Sequence, residues 1–388
     1  MKNPISLYIH FPFCAHLCNY CDFYKIILPS KKNDSLGFQS SKEFEQFSHY
    51  LEKSLILHQQ QIAPLDFHQM EIDTLFVGGG TPSLWGLSGV NWFAQKKLKF
   101  TSHYEWTIEV NPNSFTKLLA TEFSTIGVNR WSMGVQTMDP TLLPLLDRIH
   151  HVEDVHHSLE ILSQLTPLPR ISVDFMLGIP QKDSSYQRDI IKELDIILTY
   201  PIEHLSLYIL TTKKNYPLEK LKPSEDWIHQ EFLIAANYLQ SKGFIHYEVS
   251  NFAKTSKAIS RHNMAYWKGC DVYALGPSAS GHIRRPKKNS LNFPEWETIR
   301  YKWLGSPLGT TPTWEEEILT QDQIKLEKVY LQMRLADPIP LFKENPAFHQ
   351  KLQLWQQNQW VTHEEHPVPT SLGLLFMDCM VEDLLEFL

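Results

Sequence analysis

The chain has 388 residues, 43% of them hydrophobic and 20% charged, which is ordinary for a soluble globular protein and enough to bury a large core. A formal charge of −7 argues against broad electrostatic binding to nucleic acid. No stretch approaches about 18 consecutive apolar residues, and the opening MKNPISLYIHF lacks a signal peptide's apolar core, so a cytoplasmic protein without a membrane span is expected, with peripheral membrane contact left open.

In chain order, Ser6–Phe11 reads as a first strand, followed by the cysteine-rich stretch CAHLCNYC. Residues 29–41 are polar with Gly and Pro and read as a loop; Lys42 to Ile62 carries apolar residues at helical spacing. Ile72–Val77 is the next strand, closed by Gly78-Gly79-Gly80-Thr81-Pro82. Further strands are expected at Trp106–Val110, Arg130–Gly134, Ile171–Met176, Leu205–Leu210 and Phe244–Val249. Helices are expected between them at Phe115–Thr125, Val152–Leu165, Tyr186–Thr199 and Glu225–Lys242.

Alternating helices and nearly all-apolar strands predict an α/β fold with a parallel sheet, either an incomplete barrel or an open doubly wound sheet. Residues 250–293 read as irregular, and the basic run Arg284 to Lys288 as a solvated loop. Beyond it the pattern turns helical, with Glu315–Leu335, Phe348–Gln357 and Ser371–Leu388 around a short extended piece, Trp360–Thr362. Two domains are therefore expected, 1–293 and 294–388.

Five cysteines, three of them within eight residues, do not make a disulfide framework. Cys270 and Cys379 read as buried apolar thiols. Cys14-x3-Cys18-x2-Cys21 reads as a metal or cluster site. Zinc would need a fourth ligand, for which His10 or His16 stands near. A [4Fe–4S] cluster held by three cysteines would instead leave one iron open to a small molecule. S-adenosylmethionine suits such an iron, since its amino and carboxylate groups can chelate it; unligated thiols are the third alternative.

The glycine run at a strand's carboxyl end allows close backbone approach to a ligand, and no Gly-Lys-Ser/Thr follows to make it a P-loop. Glu109 in EVNP, Gln136 in GVQ and Asp174 in ISVDFMLG stand on or just past strands, and Arg148 follows LLPLLD. Each alone reads equally as an ion-pair or capping residue. Together they put two carboxylates, an amide and a guanidinium on one rim.

These motifs, with YIHFPFC, GGGTPS, VDFMLGIPQ, HLSLYILT, YEVSNFAK and SRHNMAYW, resemble the radical S-adenosylmethionine family of oxygen-independent coproporphyrinogen III oxidases and their HemW-type relatives. The resemblance runs from about Leu7 to Gly281. It implies a partial (β/α)6 barrel followed by a small, mainly α-helical domain. Carried over motif by motif, it implies Cys14, Cys18 and Cys21 as cluster ligands. It further implies contacts to S-adenosylmethionine from Tyr8, Tyr20, Gly79, Gly80, Thr81, Glu109, Gln136, Arg148 and Asp174.

The oxidase branch places a further cysteine two residues after the third ligand, where this chain has Phe23. HNMAYW, from His262 to Trp267, resembles the HemW branch, which is linked to haem binding and delivery. There His262 is a candidate haem ligand, with Tyr266 and Trp267 to pack on the macrocycle; the bland alternative is a loop histidine among core aromatics. Two departures stand out: YALGPSASGH, Tyr273 to His282, where the family has a more glycine-rich run, and the long loop at 29–41.

The expected cofactors are therefore a [4Fe–4S] cluster, S-adenosylmethionine and haem. The expected partners are haem or porphyrin, a haem-accepting respiratory protein and an electron donor such as a flavodoxin or ferredoxin. Two competing readings remain. One is oxidative decarboxylation of coproporphyrinogen III by a 5′-deoxyadenosyl radical; the other is a non-enzymatic zinc-binding protein.

Overall fold

A computed structural model describes residues 4–28, 42–63, 70–182, 187–214, 216–287, 295–339 and 345–387; the loop at 29–41 lies outside the described residues. Six parallel strands form its centre: β1 (Ile5–Phe11), β2 (Glu71–Gly79), β3 (Lys99–Val110), β4 (Arg130–Gln136), β5 (Arg170–Leu177) and β6 (His204–Ile209), each hydrogen-bonded to the next in sequence order. A helix follows each strand: α1 (Lys42–Leu57), α2 (Gly86–Lys96), α3 (Lys117–Thr125), α4 (Val152–Ser163), α5 (Ile190–Ile197) and α6 (Glu225–Ser241). This is the series of six βα units that the resemblance implies, with α2 a helix not read from the residues.

The strands are apolar on both faces because helices cover one side and the strands' own side chains fill the other. Leu7, Ile9, Leu75, Val77, Met133, Val173 and Leu205 are all fully buried. The helices start where the side chains supply caps: Thr116 Oγ1 accepts from the Leu119 amide, and Ser224 Oγ from the Trp227 amide.

The sheet continues beyond the six strands instead of closing on itself. On one side β6 borders β8 (Asn251–Ala253) and then β7 (Ile245–Glu248), both antiparallel. On the other, β1 pairs in parallel with β9 (Val272–Leu275), and β10 (Ser280–Pro286), β11 (Trp296–Leu304) and β12 (Thr313–Ile318) extend the edge antiparallel. The segment read as irregular thus holds three strands, and also α7 (Arg261–Trp267).

The edge corrects two readings. Residues 313–318, TWEEEI, are a strand and not the start of a helix, because their glutamates face cations across the ladder: Arg300 lies opposite Glu317 and Lys302 opposite Glu315. Arg285, in the run read as a solvated loop, is 3% exposed on β10 and paired with Glu297 and Glu316 at 2.8 Å each. Helices α8 (Gln321–Gln332), α9 (Pro346–Gln357), α10 (Ser371–Leu375) and α11 (Met377–Leu385) follow, around a separate apolar cluster that includes Phe348, Trp355 and Met380. Among the described residues no helix is long and apolar enough to cross a membrane. Cys270 and Cys379 are both exposed, contrary to their reading as buried thiols.

Candidate functional site

The carboxyl ends of parallel strands gather loops on one rim, the usual ligand face of such a sheet. The cysteine segment leaves the end of β1 and is tied down at both ends. Phe13–Cys14 bridges to Ile26–Ile27, the Ile26 amide donates to the Pro12 carbonyl at 2.7 Å, and the Leu28 amide to the Cys14 carbonyl at 2.9 Å. The glycine turn after β2 runs alongside: the Gly80 amide donates to the Phe11 carbonyl at 2.7 Å and the Thr81 amide to that of Phe13 at 2.8 Å. A Cβ on Gly80 would stand 2.5 Å from the Phe13 oxygen, so only glycine allows this approach. Gly79 has φ of +117°, a second reason for glycine here.

A relay joins three strand ends to the cysteines. Arg148 Nη2 donates to Asn111 Oδ1 at 2.8 Å and to the Gly134 carbonyl at 3.1 Å. Asn111 Nδ2 donates to Thr81 Oγ1 at 3.0 Å, and the Thr81 side chain bonds the Cys14 sulfur. Arg148 Nη1 also lies 3.9 Å from Cys18 Sγ. Asn111 was not singled out from the sequence, although its place in EVNP, just before a proline at a strand end, was the available signal.

Burial pushes the Cys14 thiol up to about 11 against the opposing Thr81 bond, and it raises Cys18 as well. Such thiols become thiolates when cations share them, which is what ligation supplies. Three cysteines on one pinned loop, beside a guanidinium, fit a cluster bound through three separate irons. Among the described residues no three His, Cys, Asp or Glu side chains converge on a point that would hold a single metal ion. The fourth zinc ligands considered are engaged: His10 bonds the Tyr8 hydroxyl at 3.0 Å and the Tyr24 carbonyl at 2.8 Å, and His16 faces Asp147 at 2.9 Å.

Beside the loop two carboxylates share the barrel interior. Burial pushes Glu109 up to about 8, the charge of Asp174 adds to the rise, and the Gly79 amide opposes it. Asp174 is raised too, mainly by burial, while it accepts from Ser132 Oγ at 3.3 Å. Arg130, 2% exposed, offsets part of their charge. A pair held this way is a receptor for a cation or for hydroxyl donors. Gln136 ends β4 with φ of +67° and is 8% exposed. Tyr20 packs against the cluster of Leu142, Leu146 and Met176, and burial raises its phenol to about 12. Tyr208 and Ser206 on β6 also border Asp174, and neither was singled out from the sequence.

His262 sits elsewhere. It is 2% exposed inside the barrel, stacked on Phe76 at 5.2 Å, with Nδ1 bonded to Thr74 Oγ1 at 2.8 Å. Its own amide and that of Arg261 donate to the buried Glu105. Nε2 is buried without a hydrogen-bond partner, and burial lowers the imidazole to about 4. The nitrogen that would bind haem iron is therefore not presented to solvent. Trp267 is covered by the Arg334 guanidinium, 5.2 Å from its ring. In the YALGPSASGH stretch, Ser278 adopts φ of +63° and its amide donates to the Trp303 carbonyl at 2.9 Å.

The radical SAM superfamily profile matches residues 8–194 of the chain. A mitochondrial radical S-adenosyl methionine domain-containing protein 1 from Danio rerio is 34% identical over 291 residues, 72% of this chain; the match spans only 60% of that relative's length. Heme chaperone HemW from Buchnera aphidicola is 31% identical over 287 residues, 72% of this chain and 70% of the relative. Among solved structures, coproporphyrinogen III oxidase (HemN) from Escherichia coli superposes with a TM-score of 0.70, covering 98% of this chain and 90% of its own at 18% identity, a likeness of fold.

Proposed function

The chain belongs to the radical S-adenosylmethionine superfamily and, within it, to the HemW-type group, and on that footing we propose that it is a haem chaperone that carries a [4Fe–4S] cluster and S-adenosylmethionine. The observation that carries this reading is the pinned Cys14–Cys21 loop, linked through Thr81 and Asn111 to Arg148 and set beside the Glu109–Asp174 pair.

In this reading Cys14, Cys18 and Cys21 hold the cluster, and Arg148 keeps a positive charge against the Cys18 sulfur. Gly79, Gly80 and Thr81 bring backbone close to the cofactor, while Glu109 and Asp174 receive its cationic and hydroxyl groups. Tyr8, Tyr20 and Gln136 line the same rim. When bound and reduced, the cluster supplies an electron for reductive cleavage of the sulfonium's carbon–sulfur bond. Haem binds on the same chain and passes to a haem-accepting respiratory protein, and a small redox protein supplies electrons.

Anaerobic reconstitution followed by iron, sulfide and zinc analysis, beside a haemin titration and incubation with coproporphyrinogen III, tests the proposal. About four irons and four sulfides per chain are expected, with haem bound and no protoporphyrinogen formed. Zinc without sulfide would end the cluster assignment. Cys14-dependent protoporphyrinogen formation would make the chain an oxidase instead.

A further inference from the structure

Three charged side chains are buried together behind the rim. Arg188, just before α5, Glu193 on α5 and Glu231 on α6 are 6%, 5% and 3% exposed. Arg188 Nε and Nη2 donate to the two Glu193 oxygens at 2.5 and 3.0 Å, and Nη1 lies 3.2 Å from Glu231 Oε1. A buried cation facing two carboxylates is costly to desolvate, and apolar side chains of the same volume often serve stability as well or better. What the charges add is a fixed direction for the backbone groups bonded to them.

Those backbone groups belong to two neighbouring strand ends. Past β4, Glu193 Oε2 accepts from Thr137 Oγ1 and from the Met138 amide, each at 2.6 Å. At the end of β5, Arg188 Nη1 donates to the Met176 carbonyl at 2.6 Å, and the Gly178 amide donates to Glu231 Oε2 at 2.8 Å. Gln136 immediately precedes the first pair of groups, and Asp174 stands two residues before Met176. The β4–β5 register slips between Gly134 and Gln136, and Gln136 has φ of +67°. A residue other than glycine keeps such a conformation only where its surroundings impose it. The slip folds the Gln136 side chain over Gly134: a Cβ there would stand 2.9 Å from Gln136 Nε2 and 3.4 Å from Asn111 Oδ1. Gln136 is thereby set beside the relay of Asn111 and Arg148.

We propose that Arg188, Glu193 and Glu231 are positioning residues for S-adenosylmethionine. Glu193, through Thr137 and Met138, imposes the backbone slip that aims Gln136. Arg188 ties that slip to the end of β5 that carries Asp174, and Glu231 holds the turn beyond it. The triad acts through Gln136 and Asp174. The inference rests on the reading in which those two residues face the cofactor.

Thr137→Val tests it, because it exchanges one hydroxyl for a methyl and leaves the other bonds of Glu193 in place. The reconstituted full-length chain is titrated with S-adenosylmethionine, and the change this makes in the paramagnetic resonance spectrum of the reduced cluster is recorded beside iron and sulfide content. Affinity is expected to fall about tenfold, the scale of one lost hydrogen bond to a charged group, with cluster content and far-ultraviolet dichroism as in the parent. Thr137→Ser returns the donor and is expected to return both the affinity and the spectral change. Gln136→Ala should also weaken binding, and Thr137→Val added to it should cost nothing further, since both act on one contact. Arg188→Lys keeps the buried cation without the planar fork and should weaken binding at least as much as Thr137→Val. Parent-like binding in Thr137→Val, or losses that simply add in the double variant, overturns the role of the triad while leaving the cofactor reading intact. A reconstituted parent that binds no S-adenosylmethionine overturns both.

Discussion

The Gly79 amide donates to Glu109 Oε2 at 3.1 Å, joining the glycine turn after β2 to the carboxylate at the end of β3. That bond fixes the carboxyl group in a site where its charge is disfavoured by burial and by Asp174. With a free-protein value of about 8, Glu109 is neutral at pH 6.5 and charged at pH 9. A cationic ligand favours the charged form, so its binding takes up that ionisation. Affinity for S-adenosylmethionine in the reconstituted protein should therefore rise with pH, by up to about tenfold per unit below pH 8, and level off above it. Glu109→Gln should bind weakly and without this slope. Calorimetric titration between pH 6.5 and 9 measures both, and a flat profile in the parent protein would contradict the role given to Glu109.

Gly80→Ala tests the close approach of two backbones. The new Cβ meets the Phe13 carbonyl oxygen, so the turn or the cysteine strand has to shift. The clash is with backbone atoms of Pro12 and Phe13 and leaves the six central strands paired. Iron and sulfide content should fall by more than half, while far-ultraviolet dichroism stays that of the parent. Full cluster loading in the variant would show that the approach is not needed.

Arg148→Met keeps an unbranched apolar stem and removes the guanidinium with its charge. Asn111 Oδ1 loses its 2.8 Å donor, for a cost of about 1–3 kcal/mol in stability. The Cys18 sulfur loses its neighbouring cation, so the bound cluster should become harder to reduce. Redox titration of the reconstituted variant should give a more negative midpoint than the parent. Arg148→Lys is not expected to rescue the relay, because a single ammonium cannot serve Asn111, the Gly134 carbonyl and Cys18 together. An unchanged midpoint in Arg148→Met would remove the electrostatic role.

The six central strands were legible because parallel strands covered by helices read as unbroken apolar runs, as in ISVDFMLG and HLSLYI. β12 was not, because its glutamates carry helix propensity locally while Arg300 and Lys302 select the strand from across the ladder. For the same reason Arg285 looked like part of a surface charge run; its partners Glu297 and Glu316 come from β11 and β12. α2 was missed because GLSGVNWFAQK contains two glycines and only a short apolar stripe. At the site, the residue types and their spacing named the rim, since strand-end motifs converge whenever the strands are parallel. The direction His262 faces was not legible. It depends on Thr74 and Glu105, which lie far away in sequence.

Glu248, at the end of β7, is fully buried, and neither carboxylate oxygen has a well-formed hydrogen bond among the described residues. Burial pushes it up to about 7, although Asn251, Arg334 and Trp267 lie near enough to oppose the rise. The folded state therefore holds a proton that the unfolded chain has released, in the window between an ordinary carboxyl value and about 7. The sign follows: this group's stability is fully present at low pH and is lost as pH rises through that window. Glu248→Gln keeps the shape and cannot ionise. At pH 8 it should be more stable than the parent by an amount on the order of 3 kcal/mol, and near pH 4.5 the two should melt together. Thermal or urea unfolding at the two pH values decides it. Equal stability at pH 8 would mean that Glu248 is charged and paired in the native protein, with Arg334 as the partner to examine next.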